Sequence, residues 1–204
     1  TQDLTGEEEL ALTTAVEAYI ERERPQVLIF EDYNKGVLTA TVISKLIAVC
    51  VRYGVITAVD PKRKNFFAYK GVTIFKPNLK EVTEALNLPA TAVDMTHLQY
   101  IHALLKERLN HRISFITLSE KGVFYAEDRT AQLIPSHLRH ISDVSGAGDT
   151  VIAVASLLYA LTGNVKLMAE VANIAGGLVC EEVGTVAVNK EKLLEECTIL
   201  LAGF

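Results

Sequence analysis

Hydrophobic and polar residues alternate along the chain with two different periods. In residues 7–23 the apolar residues recur every three or four positions until Pro25, which predicts a helix. The apolar run 26–30 is short and bounded by polar residues, as expected of a buried strand that leads into a loop. Helical spacing returns in residues 39–53, and a second short apolar run, 55–59, follows it. The pattern therefore predicts a strand, a helix and another strand in succession.

The same alternation continues through the rest of the chain. Further strands are predicted at residues 72–75, 113–118, 123–126 and 131–134, and further helices at residues 79–86, 95–109, 151–161 and 170–180. Segment 119–122 is predicted to be a hairpin-like turn, and the last strand is expected to be an antiparallel neighbour at the sheet edge. Alternating strands and helices favour a three-layer αβα fold with a mostly parallel sheet, whose ligands bind at the carboxyl ends of the strands.

Composition and charge narrow the class of protein. The 204 residues fit a single domain, residues 1–204, whose core is large enough to fold without disulfides or a structural metal. A formal net charge of -5 argues against nucleic acid as a partner, and no apolar run is long enough to cross a bilayer. The 3 cysteines form no closely spaced pair, which fits a reducing compartment. We therefore expect a cytoplasmic protein with neither a membrane nor a nucleic-acid partner.

The segment 143–150, Asp-Val-Ser-Gly-Ala-Gly-Asp-Thr, carries the strongest chemical signal. Small residues at Gly146, Ala147 and Gly148 allow the backbone to approach a phosphate, and the first amides of the following helix are unsatisfied donors. Such a cradle of N–H groups meets the main demand of phosphoryl transfer, and Asp149 beside it is the candidate base for an attacking hydroxyl. The alternative is a tight turn followed by an ordinary acidic residue in a first helical turn.

Several stretches, in the same order along the chain, resemble the ribokinase-like, or PfkB-type, carbohydrate kinases. Residues 143–149 resemble the family signature that ends Gly-Ala-Gly-Asp, residues 76–81 look like its Asn-x-x-Glu element, and residues 117–122 are similar to its nucleotide loop. The resemblance implies ATP and Mg2+ as cofactors. It implies an anion hole at Gly146, Ala147 and Gly148, a base at Asp149, Mg2+ held through water by Glu81, and nucleotide contacts at Asn78, Thr117, Ser119, Glu120, Gly122 and Asn173.

Each of these positions also has a purely structural interpretation. Asn78 and Glu81 together form the pattern of a helix capping box, residues 119–122 suit a plain hairpin turn, and Asn173 suits a polar position in a helix. Asp143 and Ser145 resemble positions that hold a monovalent cation in some relatives, and helix capping explains them equally well.

Other stretches bear on the substrate. Residues 31–36, 60–62, 69–71 and 183–185 resemble the branch that phosphorylates D-glycero-D-manno-heptose 7-phosphate at its anomeric hydroxyl. In that branch the kinase often belongs to a bifunctional ADP-heptose synthase of lipopolysaccharide core biosynthesis, which implies a fused or separate adenylyltransferase. Basic residues at Lys35 and 62–64 lie in loops expected at the strand ends, where they suit a substrate phosphate or a solvated turn.

The resemblance runs from about residue 27 to the last helices and covers the C-terminal two-thirds of a family member. The family's first strands, its Gly-rich sugar-binding turn and its β-structured lid, which also mediates dimerisation, are not visible in the chain. We therefore expect a fragment of a longer protein that is a homodimer at full length. Three functions follow: a heptose 7-phosphate kinase, a kinase for another small sugar or nucleoside such as ribose or fructose, and a non-catalytic nucleotide-binding module.

Overall fold

The computed structural model describes residues 2–89, 93–137 and 139–202. Within them the strands are β1 (Val27–Glu31), β2 (Ile56–Asp60), β3 (Ile74–Phe75), β4 (Ile113–Thr117), β5 (Val123–Glu127) and β6 (Thr130–Ile134). The helices are α1 (Gly6–Glu23), α2 (Ala40–Tyr53), α3 (Leu79–Leu86), α4 (Met95–Leu109), α5 (Ala147–Thr162), α6 (Val165–Cys180) and α7 (Lys190–Leu200). Of the helices in these ranges, none is long and apolar enough to span a membrane.

The six strands form one sheet in which spatial order follows chain order, β1 to β6. Strands β1 to β4 run parallel to one another. Strand β5 is antiparallel to β4, and the edge strand β6 is antiparallel to β5. In the parallel pair β1 and β2, Glu31 lies opposite Asp60, so two acidic side chains end adjacent strands at the same level. The mostly parallel sheet with an antiparallel edge confirms the predicted fold class.

Helices cover the sheet on both faces. Successive strand residues alternate between the faces: Phe75 belongs to one buried cluster with residues of α2 and α4, whereas Ile74 belongs to a second cluster with residues of α5 and α6. Because both faces of the central strands are buried, these strands are mainly apolar, and their polar residues Thr57 and Ser114 are buried as well. The result is the expected αβα sandwich.

Side-chain caps fix where most helices begin. Thr39 caps α2, Asn78 caps α3 and Asp94 caps α4, each by accepting a bond from a first-turn amide. Helix α5 differs, because its first flanking residue is Gly146 in the left-handed conformation with a φ of 77°, and no side chain caps it. The first-turn amides of α5 therefore have no capping side chain from that position.

Two predicted helix starts were wrong. Helix α5 starts at Ala147 rather than at residue 151, because the left-handed Gly146 lets the chain turn directly into the helix. Helix α6 starts at Val165 rather than 170, since Asn164 caps it. Segment 119–122 closes the hairpin between the antiparallel strands β4 and β5, as predicted; within it Ser119–Lys121 form a 3-10 turn, and the amide of Gly122 donates to the carbonyl of Ser119.

Candidate active site

A cleft of about 1260 Å³ opens at the carboxyl ends of the strands, where the start of α5 faces the loops after β1 to β4. Its lining includes ten of the eleven residues predicted to bind nucleotide or act in catalysis. These are Asn78, Thr117, Ser119, Glu120, Gly122, Gly146, Ala147, Gly148, Asp149 and Asn173. Among the described residues, Glu81 is the predicted site residue that does not line the cleft.

The start of α5 brings backbone amides close to charged groups at the strand ends. A Cβ added to Gly148 would lie 3.5 Å from Oδ2 of Asp60 and 3.7 Å from Nζ of Lys76. A Cβ on Gly146 would lie only 2.7 Å from Cγ2 of Thr185, so that position excludes a side chain on steric grounds as well as by its positive φ. The absence of side chains at Gly146 and Gly148 lets an anion approach the positive end of the helix dipole, while the amide of Ala147 donates to the carbonyl of Val144 at 3.3 Å.

Asp149 lies in the first turn of α5 with its side chain exposed to the cleft. The hydroxyl of Tyr33 donates to Oδ2 of Asp149 at 2.8 Å. This bond, together with desolvation and the negative charge of Asp149, raises the pKa of Tyr33 to about 12. Tyr33 therefore stays protonated at neutral pH and acts as a donor.

Asp149 belongs to a group of three carboxylates that also includes Glu31 and Asp60, and one oxygen of each lies within 4.8 Å of the other two. Burial raises the pKa of Glu31 to about 7, and the charges of Asp149 and Asp60 add to this, whereas Lys76 and Lys62 act in the opposite direction. A carboxyl group that is partly protonated near neutral pH reduces the repulsion within the group.

Lys76 supplies positive charge to the same group. Its Nζ lies 3.0 Å from Oδ2 of Asp60, and the side chains are only 3% and 9% exposed. Such a pair is costly to bury unless both partners are satisfied. The sequence placed Glu31, Asp60 and Lys76 in stretches that resemble the family but gave none of them a role of its own; the signal was a charged residue at the end of β1 and β2 and directly after β3.

Asn78 and Glu81 form the capping box that is the structural alternative for this pair. The amide of Glu81 donates to Oδ1 of Asn78 at 2.9 Å, and the amide of Asn78 donates to Oε2 of Glu81 at 2.8 Å. The second oxygen of Glu81 accepts from Nζ of Lys62 at 2.6 Å. Both carboxylate oxygens of Glu81 thus have partners within the protein, and the magnesium role stays a prediction.

The predicted nucleotide residues lie on the wall formed by the loop after β4 and by α6. Gly122 has a φ of 95°, which favours glycine, and it closes the turn that carries Ser119 and Glu120. On α6, Nδ2 of Asn173 donates to the carbonyl of Pro135 at 2.9 Å, so this side chain links α6 to the segment after β6. Gly176 and Gly177 of α6 also line the cleft, and their lack of a Cβ leaves room for the side chains of Val151 and Arg139, which lie against them and line the cleft as well.

Two further sets of predicted site residues have partners within the protein: Asp143 and Ser145, which resemble positions for a monovalent cation, and the basic residues Lys62 and Lys64. Oδ1 of Asp143 accepts from the amide and from the hydroxyl of Ser145, at 2.9 and 2.8 Å, and Oδ2 accepts from the amide of Gly184 at 3.0 Å. These bonds lower the pKa of Asp143. Among the basic residues, Lys62 pairs with Asp60 and Glu81, and Lys64 pairs with Asp3.

Solved structures with the same architecture identify the class of the fold. The chain aligns with phosphofructokinase-2 from Escherichia coli in complex with potassium at a TM-score of 0.81, with 15% identity over 95% of this chain and 62% of that one. It also aligns with Arabidopsis thaliana ribokinase complexed with ribose and ATP at a TM-score of 0.73, with 13% identity over 96% of this chain and 60% of that one. The fold is therefore ribokinase-like.

Sequence comparison identifies the family. The family model of the pfkB carbohydrate kinases matches residues 22–192, and the chain belongs to that family. It is 36% identical over 199 residues to the bifunctional protein HldE of Methylobacillus flagellatus and 37% identical over 171 residues to that of Mesorhizobium japonicum. These alignments cover 95% and 82% of this chain, but only 39% and 34% of the relatives' lengths.

Proposed function

We propose that this chain carries the nucleotide-binding and catalytic part of an ATP-dependent sugar kinase, which transfers the γ-phosphoryl group of ATP to a sugar hydroxyl. One observation carries the proposal: an exposed carboxylate, Asp149, lies within the same helix start as the glycine-flanked amides of residues 146–148, at the carboxyl ends of the strands. Phosphoryl transfer requires a base near the acceptor and N–H donors near the transferred group, and this arrangement offers both.

The proposed reaction follows from these positions. Asp149 accepts the proton of the acceptor hydroxyl while the oxygen forms a bond to the γ-phosphorus, and the bond from that phosphorus to the ADP oxygen breaks. Amides at the start of α5 stabilise the negative charge on the phosphoryl oxygens during transfer. The resemblance to the family's Asn-x-x-Glu element implies that Asn78 and Glu81 would hold magnesium through water. The ion would neutralise part of the phosphate charge. The side-chain oxygens of Asn78 and Glu81 at the start of α3 already accept bonds within the protein, so they suit an ion that keeps its waters better than a dehydrated one.

A monovalent cation is proposed near the same helix start. Asp143 accepts bonds from the amides of Ser145 and Gly184 and so closes a turn next to Gly146, where the family resemblance puts the cation. One solved structure with this fold is a potassium complex, which supports testing whether potassium raises turnover here. No change in turnover when potassium replaces sodium at constant ionic strength contradicts this part of the proposal.

For the substrate, we favour D-glycero-D-manno-heptose 7-phosphate, phosphorylated at its anomeric hydroxyl. The support is the identity to two proteins named bifunctional HldE and the loops 31–36 and 60–62, which reach the cleft. On this proposal the complete protein is cytoplasmic, forms a homodimer and works with an adenylyltransferase. The alternatives are a kinase for another small sugar or nucleoside and a non-catalytic nucleotide-binding module.

Substrate profiling of the complete natural polypeptide tests this choice. ADP release is measured with heptose 7-phosphate, ribose, fructose and fructose 6-phosphate, and phosphorus NMR identifies the phosphorylated carbon. We expect the highest kcat/KM with the heptose and a product phosphorylated at carbon 1. A clear preference for ribose or fructose favours the second alternative. ATP binding without turnover of any sugar favours the non-catalytic module.

A further inference from the structure

The loop after β1 holds Tyr33 at the mouth of the cleft. The carboxylate of Asp32, which is 3% exposed, anchors this loop by accepting two bonds. The amide of Asn34 donates to its Oδ1 and the hydroxyl of the fully buried Tyr69 donates to its Oδ2, both at 2.8 Å. The amide of Asp32 also donates to the carbonyl of Asp60 at 3.3 Å, which continues the pairing of β1 with β2. The backbone on both sides of Tyr33 is thus fixed to the sheet.

From this position Tyr33 reaches a residue 116 positions later in the chain. Its hydroxyl donates to Oδ2 of Asp149 at 2.8 Å, while the side chain as a whole is exposed, at 56%. A hydrogen bond to an ionised carboxylate is stronger than one between neutral groups, and it fixes the orientation of the acceptor. An exposed ring contributes little through burial, so the contact with Asp149 is the specific interaction that Tyr33 makes here.

We infer that Tyr33 is a positioning residue for Asp149, an inference that rests on the proposed function of Asp149 as the base. The phenol holds Oδ2 and leaves Oδ1 to accept the proton of the sugar hydroxyl. It also satisfies one side of the carboxylate when no sugar is bound, which makes Asp149 less available to activate water.

The proton balance agrees with a positioning role. During transfer the acceptor hydroxyl loses its proton to Oδ1 of Asp149, and Tyr33 keeps its own proton throughout. The pKa of Tyr33, raised to about 12, keeps it a donor over the whole working range of pH. The other charged groups around Asp149 are Glu31, Asp60 and Lys76, and within the described residues the hydrogen bond to its carboxylate comes from Tyr33.

The test uses Tyr33→Phe in the complete natural polypeptide, which removes the hydroxyl and keeps the ring. Tyr100→Phe is the matched control, because Tyr100 lies on α4 with a similar exposure of 53%. With the best sugar of the panel, we expect Tyr33→Phe to lower kcat about tenfold, as for loss of a hydrogen bond to a charged group, with KM for ATP unchanged. The ratio of sugar-independent ATP hydrolysis to sugar phosphorylation should rise several-fold, and Tyr100→Phe should change neither quantity.

Assaying Asp149→Asn alongside these variants separates the proposal that Asp149 is the base from the proposal that Tyr33 positions it. If Asp149→Asn is inactive and Tyr33→Phe equals Tyr100→Phe in kcat and in the hydrolysis ratio, the role of Tyr33 is wrong and the proposed base stands. If Asp149→Asn retains turnover, the proposed base fails, and the role of Tyr33 fails with it.

Discussion

At the scale of single residues, the candidate site consists mainly of charged side chains at the carboxyl ends of the strands, and some of them are buried. Lys76 and its partner Asp60 are both buried. Two further carboxylates, Glu31 and Asp149, lie beside them. Removing one member of a buried ion pair leaves the other uncompensated, whereas exposed pairs contribute little. The stability of the fold and the electrostatics of the site therefore depend on the same residues.

Replacing Lys76 by methionine tests this dependence. We expect Lys76→Met to lower the free energy of unfolding by about 3 to 5 kcal/mol, because Asp60 would remain buried beside two other carboxylates. Lys62→Met is the matched control, since Lys62 also pairs with Asp60 but is 31% exposed, and it should cost less than about 1 kcal/mol. Urea denaturation of both variants measures the difference. Equal losses of stability contradict the account of Lys76 as a buried counter-charge.

Glu31 gives stability a dependence on pH. Its pKa is raised from 4.5 to about 7 in the folded protein, so folding favours the neutral form. Its favourable contribution is complete below pH 4.5 and is lost as the pH rises through 7. Glu31→Gln, which stays neutral, should therefore be more stable than the wild type at pH 8 and equally stable at pH 4. Urea denaturation across this range measures the difference; a difference that does not change with pH contradicts the assignment.

At the scale of elements, a capping side chain made some helix boundaries predictable but not all, since the start of α6 was placed five residues late although Asn164 caps it. Helices α3 and α4 have the predicted bounds, because Asn78 and Asp94 cap them and both caps are visible in the sequence. The start of α5 was placed four residues late, since Gly146 acts through its backbone conformation and a Gly-x-Gly segment suggests a turn. Strand β3 spans only Ile74–Phe75, although four residues have strand character.

The left-handed Gly146 allows a direct test at this scale. Gly146→Ala should lower the free energy of unfolding by about 1 to 2 kcal/mol for the positive φ, with an added loss from the contact with Thr185. Gly163→Ala is the matched control, because Gly163 has a φ of 62° and a Cβ there meets nothing within 4 Å. Thermal unfolding of both variants isolates the steric part. If Gly163→Ala is the more destabilising of the two, the close approach of Thr185 to the start of α5 is wrong.

At the scale of the whole molecule, the order of strands and helices was enough to predict an αβα sandwich and the edge of the sheet that carries the cleft. What the sequence did not contain is which side chains meet across that edge. The pairing of Glu31 with Asp60 depends on strand register, and the bond between Tyr33 and Asp149 joins residues 116 positions apart. Hydrophobic periodicity specifies the faces of an element but not such contacts.

Whether Asp149 is the base is tested most sharply by comparing Asp149→Asn with the wild type in sugar-dependent ATP turnover and in ATP binding. Asp128→Asn is the control, because Asp128 is an exposed turn residue at a φ of 50°, a conformation that asparagine tolerates. The account predicts that Asp149→Asn lowers kcat by about 10² to 10⁴-fold and leaves the Kd for ATP within about twofold, while Asp128→Asn behaves as the wild type. Turnover of Asp149→Asn equal to that of Asp128→Asn contradicts the assignment of Asp149 as the base.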